Sequence, residues 1–354
     1  MHKLLAGISI LEHELSALRL LVERQTGILL DCPNSALAAH IADYLERTEL
    51  ESPAALLARL RSAELEPCEI TGFLDGVMNV STGFFRHPGA MTALGRHVLP
   101  QVLARKVSEG PATLRIWSAG CGSGEEPYSI AMAVCEALGG SSGNGNGTGT
   151  GTGNNGSKDA KSALRNGGIA ESSAPANNNG FSKECSIHIV GTDLLRSAIQ
   201  AAERGVYPQS ALTGLPPATI RACFSKIGPN ASDGTQDGNG NGASSAAANG
   251  NGSAFLLVKP RLRSLVTFNT MNLTKPVYIG RFDCIFCMDV LPYLSRTQRS
   301  ALMERLHLYL EPGGYLFLSQ TEKLCAPNLN FRSETYDGYT FYRKPLAAAA
   351  AYGR

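Results

Sequence analysis

No stretch of this 354-residue sequence holds the roughly 18 unbroken apolar residues that a membrane-spanning helix needs, which argues against insertion into a bilayer. An excess of positive charge is missing too: the formal net charge is +2, so nothing global points to nucleic acid. Disulfide arithmetic also fails, because nine cysteines are an odd number and most sit in apolar runs. They read as reduced core residues of a cytoplasmic chain. The apolar stretch at the N-terminus is cut short by Glu12, so no secretory signal is expected. The histidines are scattered without ligand spacing. Cys284-x-x-Cys287 has metal-like spacing, but positions i and i+3 of a strand face opposite sides, so no metal is expected.

What is present divides unevenly. Residues 139–180 hold 12 Gly and 8 Asn, and residues 229–253 hold 6 Gly and 5 Asn. Neither tract can bury enough apolar surface to offset the entropy of ordering it, so both read as flexible inserts between ordered elements. Residues 1–75 carry 6 Lys/Arg against 12 Asp/Glu, which leaves the remainder basic and suggests two units. Leu11, Leu15, Leu18 and Val22 form one helical stripe, and short helical patterns continue to Met78. The spacing predicts a helical domain over 1–78, a linker with a connecting helix over 79–106, an α/β domain over 107–345 and a tail over 346–354. In the third of these, apolar strands such as "TLRIWSA", "SIHIVGTD" and "FDCIFCMDVL" alternate with helices. That order means a mostly parallel sheet covered on both faces, with its ligand beyond the carboxyl ends of the strands.

The first such end is Gly120-Cys121-Gly122-Ser123-Gly124, followed at once by Glu125 and Glu126. Alternate glycines let a ligand touch bare main chain. Two carboxylates in the first helical turn would repel a phosphate, which argues against a dinucleotide, whereas they suit a cationic amino group or simply complement the helix dipole. The second end is Gly191-Thr192-Asp193. Gly124 and Asp193 are 69 positions apart, 42 of them in the first tract, which leaves 27. That is close to the roughly 20 expected for an acid that grips ribose hydroxyls; Asp193 would equally cap the helix that follows. A glycine loop, an early glutamate and a strand-end aspartate together suit a nucleoside carrying an amino acid, and S-adenosylmethionine has those parts.

The segments "STGFFRHP" (81–88), "WSAGCGSGEEPYSIAM" (117–132), "GTD" (191–193), "RGVYP" (204–208), "MNL" (271–273), "FDCIFCMDVLPYL" (282–294) and "LEPGGYLFLSQTE" (310–322) follow one another as in a known family. Over roughly residues 10–345, apart from the inserts, the chain resembles the CheR-type chemotaxis receptor glutamate O-methyltransferases. The resemblance implies a Rossmann-like class I methyltransferase domain with a small inserted β-subdomain, behind an all-helical N-terminal domain. It implies transfer of a methyl group from S-adenosylmethionine to a glutamate carboxylate of a chemoreceptor, leaving S-adenosylhomocysteine, by a chain expected to be monomeric. Thr82 and Arg86 would touch the cofactor, Arg86 at the methionine carboxylate. Gly120 and Gly122 would approach it through main chain, Glu125 would hold the amino group and Asp193 the ribose. Asn272 and Leu273 would meet the adenine, Cys287 and Met288 would lie alongside, and Tyr293 would orient the incoming carboxylate. Arg86 and Tyr293 are thus the expected catalytic pair.

The chain departs from the family pattern at three places. Met288-Asp289 stands where the family has Arg-Asn, and an acid there disfavours a carboxylate acceptor. Val80 replaces an asparagine, with Asn79 one position off. The helical region "ALAAHIADYLERTELES" has a single arginine, Arg47, where receptor-docking relatives are arginine-rich. These leave open a different protein acceptor, or a module that binds S-adenosylmethionine without chemistry. His87 reads as a surface residue of its turn.

Overall fold

The computed structural model describes residues 10–62, 67–78, 82–109, 112–139, 185–227, 255–277, 279–324, 326 and 328–346. Residues 140–180 of the first glycine–asparagine tract, all of the second, positions 79 and 80, and residues 347–354 of the tail lie outside them.

Four helices lead the chain: α1 (Glu12–Thr26), α2 (Asn34–Thr48), α3 (Pro53–Arg61) and α4 (Pro67–Val77). In α1 the expected stripe buries Leu15, Leu18 and Val22, while Leu11 sits at the N-cap and stays exposed. The helix stops at Gly27, whose φ of 76° lies in the left-handed region that glycine adopts without a Cβ penalty. Ser52 caps α3 by accepting the Ala55 N–H at 3.2 Å.

After α5 (Pro88–Ala93), a π turn at Leu94–Val98 and α6 (Leu99–Glu109), the sheet begins. Its chain order is β1 (Ala112–Ala119), α7 (Glu125–Gly139), β2 (Cys185–Asp193) and α8 (Arg196–Arg204). Then come β3 (Val206–Pro208), α9 (Pro217–Cys223), β4 (Phe224–Lys226), β5 (Phe255–Val258), α10 (Pro260–Arg263) and β6 (Val266–Thr270). Finally β7 (Phe282–Phe286), α11 (Arg296–Tyr309), β8 (Leu310–Phe317), β9 (Arg332–Tyr336) and β10 (Tyr339–Arg343) complete the fold.

Seven strands form one sheet in the order β6-β2-β1-β7-β8-β10-β9. The first five are mutually parallel, and the β9–β10 hairpin adds an antiparallel edge. The order reverses between β1 and β7, so their carboxyl ends open a crevice at the switch point of the sheet. A separate antiparallel sheet, β3-β5-β4, makes the inserted subdomain. The α/β class and the subdomain are therefore as expected. The closing hairpin is not among the expected elements, although Asp337-Gly338, with φ of 48° and 75°, is an Asp-Gly turn of the kind that joins two strands.

Two cores flank the sheet. One packs α5, α6 and α7 against Leu114, Ile116, Ile189 and Phe286. The other joins Leu15, Leu18 and Leu37 of the N-terminal helices to Trp117, Phe282 and Ile285 of the strands. The helical segment thus shares its apolar core with the sheet. Cys284 enters the first core and Cys287 the second, because strand side chains alternate, so the two sulfurs do not converge. No described helix is long and apolar enough to cross a membrane.

Candidate active site

At the carboxyl end of β1 the main chain turns through Gly120, Gly122 and Gly124, with φ of 83°, 54° and 95°. Two of these glycines are also required by space. A Cβ on Gly120 would lie 2.4 Å from Val290 Cγ2, and one on Gly124 would lie 2.7 Å from Ala202 Cβ. The Gly120 and Cys121 amides donate to the Thr192 carbonyl at 2.8 and 2.9 Å, which ties this turn to the end of β2. Asp193 strengthens the tie: Oδ2 accepts the Gly122 N–H and Oδ1 the Leu195 N–H, both at 2.9 Å. One carboxylate therefore both caps the turn into α8 and faces the crevice. Burial raises its pKa, and the hydrogen bonds from Leu195 and Gly122 pull against that.

The paired glutamates take different directions, as neighbours on a helix must. Glu125 is buried and accepts the Ser123 hydroxyl at 2.8 Å, and it does not line the crevice. Glu126 does line it, while its Oε1 accepts the Ser118 hydroxyl at 2.6 Å. Burial pushes the Glu126 carboxyl up to about 7; the Ser118 hydroxyl opposes this, and the nearby Asp289 and Glu322 charges add to it. The sequence reading gives the ligand's amino group to Glu125, whereas it is Glu126 that stands on the crevice wall.

From the linker, Phe84 packs edge-on against Tyr207 and Phe224 at centroid distances of 4.9 and 5.3 Å, which anchors the T-x-F-F-R segment to the subdomain. Phe85 adopts φ 51°, and its N–H donates to Ser129 Oγ at 2.9 Å. This turn delivers Thr82, Arg86 and His87 to the crevice. His87 is not the surface residue its neighbourhood suggested: Nε2 lies 2.9 Å from Asp289 Oδ2, which Arg86 Nε approaches at 3.3 Å. Asp289 itself follows β7 with φ 57°. Its N–H and those of Leu291 and Ser319 all donate to the Glu322 carboxylate, at 3.1, 2.9 and 3.0 Å. Glu322, the last residue of "LEPGGYLFLSQTE", is a positioning group to which the sequence reading assigns no role.

The N-terminal segment closes the far side. Asn272 Nδ2 donates to the Thr26 carbonyl at 3.1 Å, and its Oδ1 accepts the Thr274 N–H at 2.9 Å. The side chain expected to read adenine thus also holds the end of α1. The Leu29 N–H donates to the Tyr293 carbonyl at 2.8 Å, and Ile28 bridges to Leu294.

Together these walls border a crevice of about 1090 Å³, open solvent at its mouth included. Thr82, Arg86, Gly120, Gly122, Asp193, Asn272, Leu273, Met288 and Tyr293 all line it; Glu125 and Cys287 do not. Its acidic groups are Glu126, Asp193 and Asp289, against the cation of Arg86 and the titratable His87. Three carboxylates and bare glycine main chain suit a ligand that carries positive charge and hydroxyls, so the residues present fit S-adenosylmethionine.

The model of the CheR methyltransferase SAM-binding domain matches residues 80–144 and 245–339, which include the glycine turn, Arg86, Asn272 and Tyr293. Over those two segments the chain is similar to the CheR methyltransferase SAM-binding domain. It is similar to chemotaxis protein methyltransferase 1 of Pseudomonas aeruginosa, 27% identical over 330 residues that cover 89% of this chain and 96% of the relative. It is also 27% identical over 325 residues to the chemotaxis protein methyltransferase of Vibrio parahaemolyticus, covering 91% and 93%. The chemotaxis protein methyltransferase Cher2 of Pseudomonas putida is 26% identical over 330 residues, covering 89% and 96%. The CheR match ends its first segment at 144 and resumes at 245, so β2 with Asp193, and the β3 and β4 strands of the subdomain, fall between its two segments.

Proposed function

We propose that the chain transfers the methyl group of S-adenosylmethionine to a glutamate side-chain carboxylate of a chemoreceptor-like protein, giving a glutamate methyl ester and S-adenosylhomocysteine. The observation that carries this reading is the crevice itself: it lies at the switch point of the sheet and is lined by Glu126, Asp193 and Asp289 with glycine main chain between them.

When bound, the cofactor supplies a methyl already activated on a sulfonium, so that the C–S bond breaks as the C–O bond forms and both charges vanish. In our reading Asp193 turns its remaining lone pairs to the ribose hydroxyls, and Glu126 faces the ammonium. Thr82 and Arg86 take the carboxylate end of the methionine. Asn272 and Leu273 border the adenine, and Met288 lines the path between. Gly120 and Gly122 leave room for main-chain contact where a Cβ would intrude. Tyr293, half-exposed at the mouth, orients the acceptor.

A glutamate acceptor is ionised at neutral pH, so the chain needs no general base. Its tasks are alignment and exclusion of water. Ile28, whose segment pairs with residues 293 and 294, supplies an apolar wall for the second task. The N-terminal helices over 1–78 are proposed as the lobe that meets the acceptor.

Calorimetric titration with S-adenosylhomocysteine, followed by transfer of radiolabelled methyl to chemoreceptor cytoplasmic fragments, tests the reading. Micromolar binding and base-labile label on glutamate are expected. Absence of binding would overturn it.

A further inference from the structure

Asp289 sits in the left-handed region at φ 57°, which aspartate tolerates better than most non-glycine residues. Its turn is also tied down: Glu322 accepts the Asp289 N–H together with those of Leu291 and Ser319, so one buried carboxylate fixes the turn. The result is an acid placed where acids are already crowded, near Glu126 and Glu322. The turn that carries Asp289 is thus fixed by three hydrogen bonds to one carboxylate, which holds the side chain at a set place on the crevice wall.

Its surroundings indicate the use. Asp289 Oδ2 lies 3.3 Å from Arg86 Nε and 2.9 Å from His87 Nε2, and these side chains are 33%, 43% and 20% exposed in that order. All three line the crevice, as does Tyr293. Asp289 already engages Arg86 and His87 on that wall, so an acceptor carboxylate finds both of them occupied. It must therefore enter beside a fixed negative charge, which is unfavourable unless the acceptor brings a compensating cation.

We propose that Asp289 is a specificity-determining residue, which selects acceptors whose target glutamate has a lysine or arginine beside it on the acceptor surface. The acceptor's cation pairs with Asp289 and so holds its glutamate toward Tyr293, leaving Arg86 to the methionine carboxylate. This rests on the methyltransferase reading above and narrows its substrate class. A salt bridge of this exposure is worth little, so the discrimination is modest, roughly five- to tenfold in rate.

The test uses the full chain and two versions of one chemoreceptor cytoplasmic fragment. They differ only in whether the residue four positions from the target glutamate, one helical turn away, is Lys or Gln. Site-resolved initial methylation rates are measured by mass spectrometry, with S-adenosylhomocysteine affinity followed in parallel. Wild type is expected to prefer the Lys version by roughly five- to tenfold. Asp289→Asn should reduce that preference to less than about twofold, mainly by lowering KM for the Gln version, and Asp289→Lys should reverse it. An equal preference in wild type and Asp289→Asn, with both proteins active, overturns the selection alone. If wild type methylates neither fragment, the functional reading fails and the selection falls with it.

Discussion

Asp193 accepts the Gly122 amide through one carboxylate oxygen and the Leu195 amide through the other, each at 2.9 Å, so a single side chain fastens the ends of β1 and β2 to each other. The glycine turn and the acidic strand end, 71 residues apart in sequence, are therefore one structural unit. What binds at either must feel both.

Replacing Asp193 with Ala is expected to weaken S-adenosylhomocysteine binding by more than about tenfold, or about 1.4 kcal/mol. Calorimetry on the wild type and variant measures this. Asp193→Asn, which keeps one acceptor oxygen, should lose less; equal affinity in all three proteins would remove Asp193 from the site.

Glu126 makes binding pH-dependent. Its carboxyl is raised to about 7 in the free chain, and a cation bound against it favours the charged form and lowers that value. Binding should then release a proton as the pH falls through about 7, and affinity should drop toward pH 5. In titrations across buffers of different ionisation enthalpy, wild type should show this proton release and Glu126→Gln should lack it. The same raised value means that the free chain loses stability as pH rises from the ordinary carboxyl range to about 7, because the folded state holds the proton more tightly than the unfolded one. Denaturant midpoints of Glu126→Gln should be flatter over that window.

Gly120→Ala should be destabilising on two counts, the left-handed φ of 83° and a Cβ that would lie 2.4 Å from Val290 Cγ2. A loss of about 1–3 kcal/mol is expected from overpacking and strain. Adding Val290→Ala should restore the steric part only. Full recovery in the double variant, read from urea denaturation, would show that the dihedral costs nothing here.

Tyr293→Phe separates acceptor handling from cofactor binding. Loss of one hydrogen bond to the acceptor should lower kcat/KM for methyl transfer by about three- to tenfold. S-adenosylhomocysteine affinity should stay within about twofold of wild type by calorimetry. A parallel fall in both would place the hydroxyl on the cofactor instead.

Much of the site was legible because its signals are local. Glycines at 120, 122 and 124 announce positive φ and close approach, an aspartate at a strand end announces a ligand, and strand and helix periods announce the sheet. The β9–β10 hairpin was legible as well, through Asp337-Gly338, and went unread. Glu125 against Glu126 was not legible: adjacent helical positions point about 100° apart, and only packing against Ser118 and Ser123 sets the phase.

By itself, the sequence determined the α/β alternation, the glycine turn and the order in which Arg86, Asp193, Asn272 and Tyr293 appear, because dihedral preference and apolar period act over a few residues. Tertiary structure alone decided that His87 and Arg86 meet Asp289 some two hundred positions away, that Glu322 pins that acid in a left-handed turn, and that Asn272 holds the end of α1. Such pairings depend on which strand ends the sheet order brings together, and that order is set by burying two apolar faces at once, a property of the whole chain.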